Sequence, residues 1–272
     1  GAIASDVHGK NHHSEGCFVE SVVEFKLMDE KGAVITCFRE KNSDKFWATI
    51  GGMGLTGIIL SAKIKLKNIE TAYIRQESIK AENLHEIFQL FEESEDWTYT
   101  VAWIDCLQKG KNIGRSILMR GEHALKVELP FKYADKPLRL KKKFSPTVPF
   151  YFPKFVLNKL SVKAFNFLFF NKQRKKVVKN IIDYETFFYP LDAINDWNKI
   201  YGRSGFIQYQ MVIPKEKGEE GMRKILETIA RSGQGSFLAV LKLFGKNNPL
   251  AYNSFPIEGY TLALDFKLNR EL

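Results

Sequence analysis

The sequence predicts an α+β protein: an antiparallel sheet with helices on one face. Three observations lead there. Segments with strand periodicity alternate with segments of helical periodicity, they do so without the regular cadence of βαβ units, and glycine-rich or polar breaks separate them. Residues 19–40 read as two strands around a turn at Asp29 to Gly32. Ser43 and Asp44 open a short helix through Lys45 to Thr49. Gly51 to Gly57, GGMGLTG, holds four glycines in seven residues and supplies positive φ angles and close backbone approach. Ile58 to Leu66 then alternates as a half-buried strand, and a boundary falls near Asn68 to Ala72. Beyond it, Glu82 to Glu95 sets Leu84, Ile87, Phe88 and Phe91 on one helical face. Tyr99 to Asp105, Ile113 to Arg120 and Tyr184 to Tyr189 read as strands, Leu191 to Lys199 as a helix and Phe206 to Ile213 as a strand. A helix from Glu219 to Ala230 and strands at Ser236 to Phe244 and Tyr260 to Phe266 close the series.

With 272 residues, 44% of them hydrophobic, the chain has material for one large core or two domains. Cys17, Cys37 and Cys106 are odd in number and scattered, which argues against a disulfide framework and for free thiols in a reducing compartment. The net charge of +10 is concentrated: Lys136 to Ile182 carries 13 of the 41 basic residues and no acid, leaving 28 basic against 31 acidic residues elsewhere. The same 136–182 stretch holds nine aromatics, among them Phe144, Phe150, Phe155 and Phe167, and reads as a flexible basic insert. Its apolar runs are far shorter than the roughly 20 residues of a spanning helix. Such a segment suits an anionic membrane surface, where each cation contributes about 1 kcal/mol and aromatics enter the interface. A solvated loop is the plain alternative, and nucleic acid is disfavoured because no recognised binding motif accompanies the charge.

Several polar residues invite chemistry. Gly1 to His13, GAIASDVHGKNHH, packs small residues and three histidines into a segment unlike ordinary core. His8, His12 and His13 form either a polar turn with satisfied rings or a ligand contact. No metal is expected, because Gly9 weakens the helix that would make the His8/His12 spacing useful and no carboxylate or cysteine cluster accompanies it. Lys10, two residues past His8, shares its side of an extended chain and is either solvated or placed for a phosphate or ring oxygen. Gln208 and Gln210 share one face of a strand, opposite Ile207, Tyr209 and Met211, and present two amides either to a cavity or to water. Lys242 interrupts an apolar strand, which is costly unless it is paired or faces a wet pocket, and Asp265 is a candidate partner. Trp103 is either core or a pocket wall.

Four segments together, GAIASDVHGKNHHSEGCF at 1–18, FWATIGGMGLTGII at 46–59, GFIQYQMVIP at 205–214 and FLAVLKLFG at 237–245, resemble the decaprenylphosphoryl-β-D-ribose 2-oxidase family. These are flavoenzymes of the vanillyl-alcohol-oxidase type. The resemblance runs over nearly the whole chain and is weakest in the basic insert. It implies a split FAD-binding domain around a substrate domain: residues 1–70 as the second half of the former, 71–272 as most of the latter, with the N-terminal half and a C-terminal segment outside this chain. It further implies non-covalent FAD contacted by Gly1, Ser5, Asp6, Val7, His8 and Ile59, and a substrate site of Lys10, Trp103, Gln208, Gln210, Lys242 and Asp265. His8, Lys10 and Lys242 are the implied catalytic groups, and the general base is left open. The implied reaction is hydride transfer to flavin N5 from a sugar secondary alcohol, C2 of a polyprenyl-phosphate ribose. A short-chain reductase completing an epimerisation and a membrane surface are the implied partners, and a cytoplasmic or peripheral membrane location follows. Ala263 departs from the mycobacterial pattern, which has cysteine there, and Thr261 stands where those members have asparagine. An aldonolactone oxidase and a non-catalytic lipid-binding fragment are the competing readings.

Overall fold

The structure is a computed structural model that describes residues 1–140 and 143–268. Lys141 and Lys142 of the basic segment lie outside the described residues. The chain divides into two compact units, one of Gly1–Asn68 with Leu243–Gly259, the other of Ile69–Lys242 with Tyr260–Leu272. The segment 243–259, which the family resemblance implies to be part of the substrate domain, clusters with the first unit.

In the first unit, β1 (Val22–Met28) is the centre of a three-stranded antiparallel sheet, flanked by β2 (Val34–Phe38) and β3 (Ile58–Ile64). The β1–β2 turn forms where the sequence places it. Asp29 accepts hydrogen bonds from the backbone amides of Lys31 and Ala33 at 3.0 and 2.9 Å, the local bonding by which aspartate stabilises turns. Helix α1 (Ser43–Thr49) buries Phe46 and Trp47, and the Phe46 ring stacks on Phe25 at 5.2 Å. These side chains share a core with Ile3, Val19, Leu27, Ile50 and Ala251, so the return segment supplies part of it. Gly51 requires its glycine: φ is +70°, and a Cβ would lie 2.7 Å from the Asn253 carbonyl oxygen. One expectation fails here. β3 is an edge strand rather than half-buried, and Ile58, Leu60 and Ile64 are exposed.

The second unit is built on a seven-stranded sheet. Its strands are β4 (Tyr73–Ala81), β5 (Tyr99–Ile104), β6 (Ser116–His123), β7 (Val177–Asp183), β8 (Phe206–Pro214), β9 (Ala239–Phe244, whose last two residues belong to the first unit) and β10 (Gly259–Lys267). Their spatial order is β7-β4-β6-β5-β9-β10-β8, and β4 pairs antiparallel with β6 and β7, as β5 does with β6 and β9. Helix α2 (Leu84–Glu92) starts at Asn83, whose side chain accepts from the Glu86 amide at 3.0 Å, and buries Leu84, Ile87, Phe88 and Phe91 as the periodicity predicts. Further helices of this unit include a single turn at Phe131–Ala134 and the longer α3 (Lys159–Lys172), α4 (Tyr184–Phe188) and α5 (Gly218–Ser232).

Helices cover both faces of this sheet, not one. Arg120, paired with Thr100, points to the face where its guanidinium meets the Ser94 hydroxyl just past α2. Trp103 and Ile117, paired with each other, point to the opposite face and pack on Phe169 and Phe170 of α3. The stretch 136–182 is accordingly not a featureless insert. Asn158 caps α3 by accepting from the amides of Leu160 and Ser161, and β7 completes the sheet edge against β4. A buried polar knot ties α3 down: Asp105, 1% exposed, accepts from Arg115 Nε and Nη2 at 3.0 and 2.8 Å, Gln108 Nε2 at 2.9 Å, the Leu107 amide at 3.1 Å and Asn166 Nδ2 of α3 at 2.7 Å.

Two further segments differ from expectation. Tyr184 to Tyr189 forms helix α4 rather than a strand, because Asp183 accepts from the Thr186 amide at 3.0 Å and starts a helix there. Leu191 to Lys199 is not one helix but two short 3₁₀ turns, Pro190–Ala193 and Trp197–Tyr201, separated by Asp196 at φ 56°. Among the described residues no helix is long and apolar enough to cross a membrane.

Candidate functional site

Each unit gathers its own set of the residues singled out in the sequence. In the first, Gly1 to Val7 folds into consecutive tight turns, with the Ser5 amide on the Gly1 carbonyl at 2.9 Å and the Val7 amide on the Ala2 carbonyl at 3.1 Å. This segment docks on the glycine loop: the Met53 amide donates to the Ala4 carbonyl at 2.8 Å. Asp6, buried, accepts from the Val19 amide at 2.9 Å and from the Ser254 hydroxyl. Its carboxylate is a clasp inside the unit, which leaves only its backbone to face a ligand. Val7 is exposed, and Ser5, His8, Lys10 and Ile59 are half-buried.

His8 pairs with Cys17 in an isolated antiparallel bridge. Its ring lies edge-on to Phe244 at 4.7 Å and tilted against Phe255 at 6.1 Å, both supplied by the return segment. His12 is buried, with its ring 4.4 Å from that of Phe244. Lys10 sits in a turn that leads into the short helix His12–Glu15, so the extended chain assumed for its placement beside His8 does not continue past Gly9. Among the described residues no group of three or more His, Cys, Asp or Glu side chains is arranged to hold a metal ion.

In the second unit the two glutamines lie on the edge strand β8 and reach across to β10. Gln208 Nε2 donates to Asp265 Oδ1 at 2.8 Å, and Gln210 Nε2 donates to Thr261 Oγ1 at 2.9 Å. Thr261 in turn donates its hydroxyl proton to the Met211 carbonyl at 2.9 Å. Burial pushes the Asp265 carboxyl above the ordinary carboxylate range, opposed by the Gln208 hydrogen bond and the Tyr201 hydroxyl. Burial and that carboxylate together push the Tyr201 phenol well above its usual value. A small cavity of about 80 Å³ borders Tyr201, Asp265, Asn158, Lys159 and Gln234. Lys242 is half-buried on β9, the neighbour of β10. Trp103 is a core residue: it is buried, and its indole donates to the Phe237 carbonyl at 3.0 Å. Two larger clefts, of about 520 and 550 Å³, one bordered by Lys143, Phe144, Tyr184 and Tyr189 and the other by Tyr73, Lys132, Tyr133 and Arg139, share no residue with the amide pair.

Sequence reasoning missed Phe244, Phe255, Ser254 and Tyr201. An aromatic or hydroxyl residue far along the chain carries no local mark that it will reach His8, Asp6 or Asp265.

No protein-family model matches the chain. It is 39% identical over its whole length to decaprenylphosphoryl-β-D-ribose oxidase of Mycolicibacterium smegmatis and spans 59% of that relative. It is 27% identical to an uncharacterised protein of Streptomyces coelicolor over 97% of the chain and 72% of the relative. Over 34% of the chain, and 20% of the relative, it is 28% identical to an FAD-linked oxidoreductase of Claviceps purpurea. The class these likenesses define is that of FAD-linked oxidoreductases. Within it, the likeness that extends over the whole chain is to the decaprenylphosphoryl-β-D-ribose oxidase family.

Proposed function

We propose that this chain is part of an FAD-dependent oxidoreductase that oxidises a secondary alcohol of a sugar, C2 of a polyprenyl-phosphate ribose. The observation that carries the reading is the 39% identity to the mycobacterial oxidase, which extends over the whole chain and so over both polar clusters. Residues 1–70 would contribute to a split FAD-binding domain and the seven-stranded unit to a substrate domain.

The first unit fits a non-covalent FAD. A Cβ at Gly1 or Gly54 would meet no atom within 4 Å, so small residues border open space at both positions. Gly1, Ser5, Val7, His8 and Ile59, with the backbone of Asp6, would hold the cofactor, which when bound supplies the hydride acceptor. The His8 ring lies against Phe244 and Phe255, apolar neighbours that would help to orient it toward a ligand. Gln208 and Gln210 would hold the sugar. Lys10 and Lys242 would bring positive charge to the alcohol or phosphate oxygens and stabilise negative charge as the hydroxyl proton leaves.

The lipid tail would be met at a membrane surface by the basic segment, whose Phe144, Phe150, Phe155 and Phe167 are exposed. With α3 and β7 built into the fold, only the remainder of 136–182 is left to drape over the lipid. A reductase that completes epimerisation of the oxidised sugar is the expected catalytic partner.

The test is to purify the whole protein that carries this chain, record its flavin absorbance, and compare turnover of a prenylphosphoryl ribose with that of a water-soluble aldonolactone. A yellow protein that oxidises only the prenylated sugar is expected. Turnover of the lactone alone would replace the proposal with a soluble-sugar oxidase, and a colourless protein that binds lipid would remove catalysis altogether.

A further inference from the structure

We propose that the outward face of α3 is a docking surface for an anionic lipid bilayer, on which the helix lies flat in the headgroup boundary. The inference rests on the membrane contact proposed above and deepens it by naming the element that makes it; it is independent of the flavin chemistry.

The polarity of α3 is inverted. Its inward face is Val162, Asn166 and Phe170, all buried, and the middle of that face is an amide, Asn166, which donates to Asp105 at 2.7 Å. The outward face, at positions i, i+4, i+7 and i+8, is Leu160, Ala164, Phe167 and Leu168. There Leu160 is 77%, Phe167 57% and Leu168 68% exposed. The other long helices have the ordinary arrangement: α2 exposes His85, Gln89 and Glu92, and α5 exposes Glu220, Lys224, Glu227 and Arg231. The outer apolar residues of α3 are not what anchors it, since its packing on Trp103 and Ile117 and its bond to Asp105 are made from the other side. Single exposed apolar residues are commonplace, but a contiguous stripe of them marks a surface that meets something.

Charge selects the occupant. Lys163 and Lys172 flank the stripe, Arg174 and Lys175 follow it, and all four are exposed in a stretch, 136–182, that holds no acidic residue. A second copy of this face would set those cations against their own kind. Nucleic acid would match the charge and leave Leu160 and Leu168 in water. An anionic bilayer matches both properties: the apolar side chains enter the boundary of the acyl chains while the lysine stems reach up to the phosphates. The helix is also formed in advance. Asn158 caps its first turn, and just past its last residue Gln173 Nε2 donates to the Ser78 carbonyl at 3.0 Å, so little ordering is left to be done at the membrane.

The experiment sediments the whole protein with vesicles of phosphatidylglycerol and phosphatidylcholine in equal parts, and with vesicles of phosphatidylcholine alone. The wild type should bind the anionic vesicles more tightly, and added salt should weaken that binding. Leu160→Gln combined with Phe167→Gln should weaken it about tenfold or more, and Lys163→Gln combined with Lys172→Gln should remove part of the salt dependence. Because these side chains face water, the substitutions should leave the thermal midpoint unchanged. In Phe167→Trp the added indole fluorescence should shift to the blue and be quenched by brominated lipid once anionic vesicles are present, a reading of insertion that needs no loss of binding. Binding that survives the α3 substitutions but falls with Phe144→Ser and Phe150→Ser overturns the inference and leaves the membrane contact to the rest of the segment. Absence of binding to anionic vesicles overturns both, with the oxidase reading left to its own test. A lowered thermal midpoint for the Leu160 and Phe167 variant, or its conversion of a wild-type dimer to monomer, would show the face covered by another part of the protein or by a second copy, and would overturn the inference too.

Discussion

Replacing Asp105 with asparagine exchanges one heavy atom, a carboxylate oxygen for an amide nitrogen, and should cost the second unit a large part of its stability. The Asp105 carboxylate is faced by donors on both oxygens: Oδ1 accepts from the Leu107 amide and Asn166, Oδ2 from Arg115 twice and from Gln108. Whichever way the new amide turns, its NH₂ group meets donors instead of acceptors, and the Arg115 guanidinium, with 10% side-chain exposure, loses its counter-charge. Breaking such a buried pair from one side costs about 3–5 kcal/mol. Against a total of roughly 5–15 kcal/mol for a folded domain, the unfolding midpoint in urea should fall markedly. Asn166 links the knot to α3, so trypsin should also cut sooner within Lys159–Lys172, well below the global transition. The cost comes from an orphaned charge and not from a lost attraction. Asp105→Leu combined with Arg115→Met should therefore be less destabilised than Asp105→Asn alone. A loss under about 0.5 kcal/mol for Asp105→Asn, or a double variant worse than the sum of its parts, would refute the reasoning.

Other expectations can be checked with simple measurements. Gly51→Ala forces a side chain into a positive-φ position against the Asn253 carbonyl and should destabilise the first unit by about 1–3 kcal/mol, read as a lower thermal midpoint. Glu77 gives a pH signature: burial raises its pKa, but hydrogen bonds from Lys179 and Arg120 and their charges outweigh that and hold it below the ordinary value. A depressed folded pKa means its stabilisation is present above the unfolded value of about 4.3 and is lost as pH falls through the folded one. Glu77→Gln should accordingly flatten the acid limb of a stability-versus-pH curve, and an unchanged limb would refute the assignment. Cys106, pushed up to about 12 chiefly by burial, should resist maleimide at pH 8 in the folded protein and react once it is unfolded, as mass spectrometry would show.

What the sequence made legible was local. Leu84, Ile87, Phe88 and Phe91 repeat at helical spacing and are the buried face of α2; Asp29 marks a turn through bonds to its own neighbours. Opaque segments were those whose state depends on partners elsewhere. β4, YIRQESIKA, reads as polar and gave no strand signal, yet Glu77 is buried because Arg120 and Lys179 of adjacent strands meet its carboxylate. The aromatic content of Tyr184 to Tyr189 favoured a strand until the Asp183 cap is taken into account. VVKNIID at β7 was hidden inside a run of lysines. For the candidate site, spacing alone set Gln208 and Gln210 side by side, whereas their hydrogen bonds to Asp265 and Thr261 and the Phe244 and Phe255 rings beside His8 required three dimensions.

Leu243–Gly259 completes a core begun by the first 68 residues, and this has consequences for biosynthesis. A ribosome adding about 5–20 residues per second needs about ten to thirty-five seconds to translate the intervening stretch 69–242. Throughout that delay the nascent amino-terminal sheet lacks Ala251 and the rings that seat His8, and its apolar surface is open to chaperones. No single contiguous truncation reproduces either unit, so domain-by-domain expression must graft the return segment back by circular permutation or a designed linker.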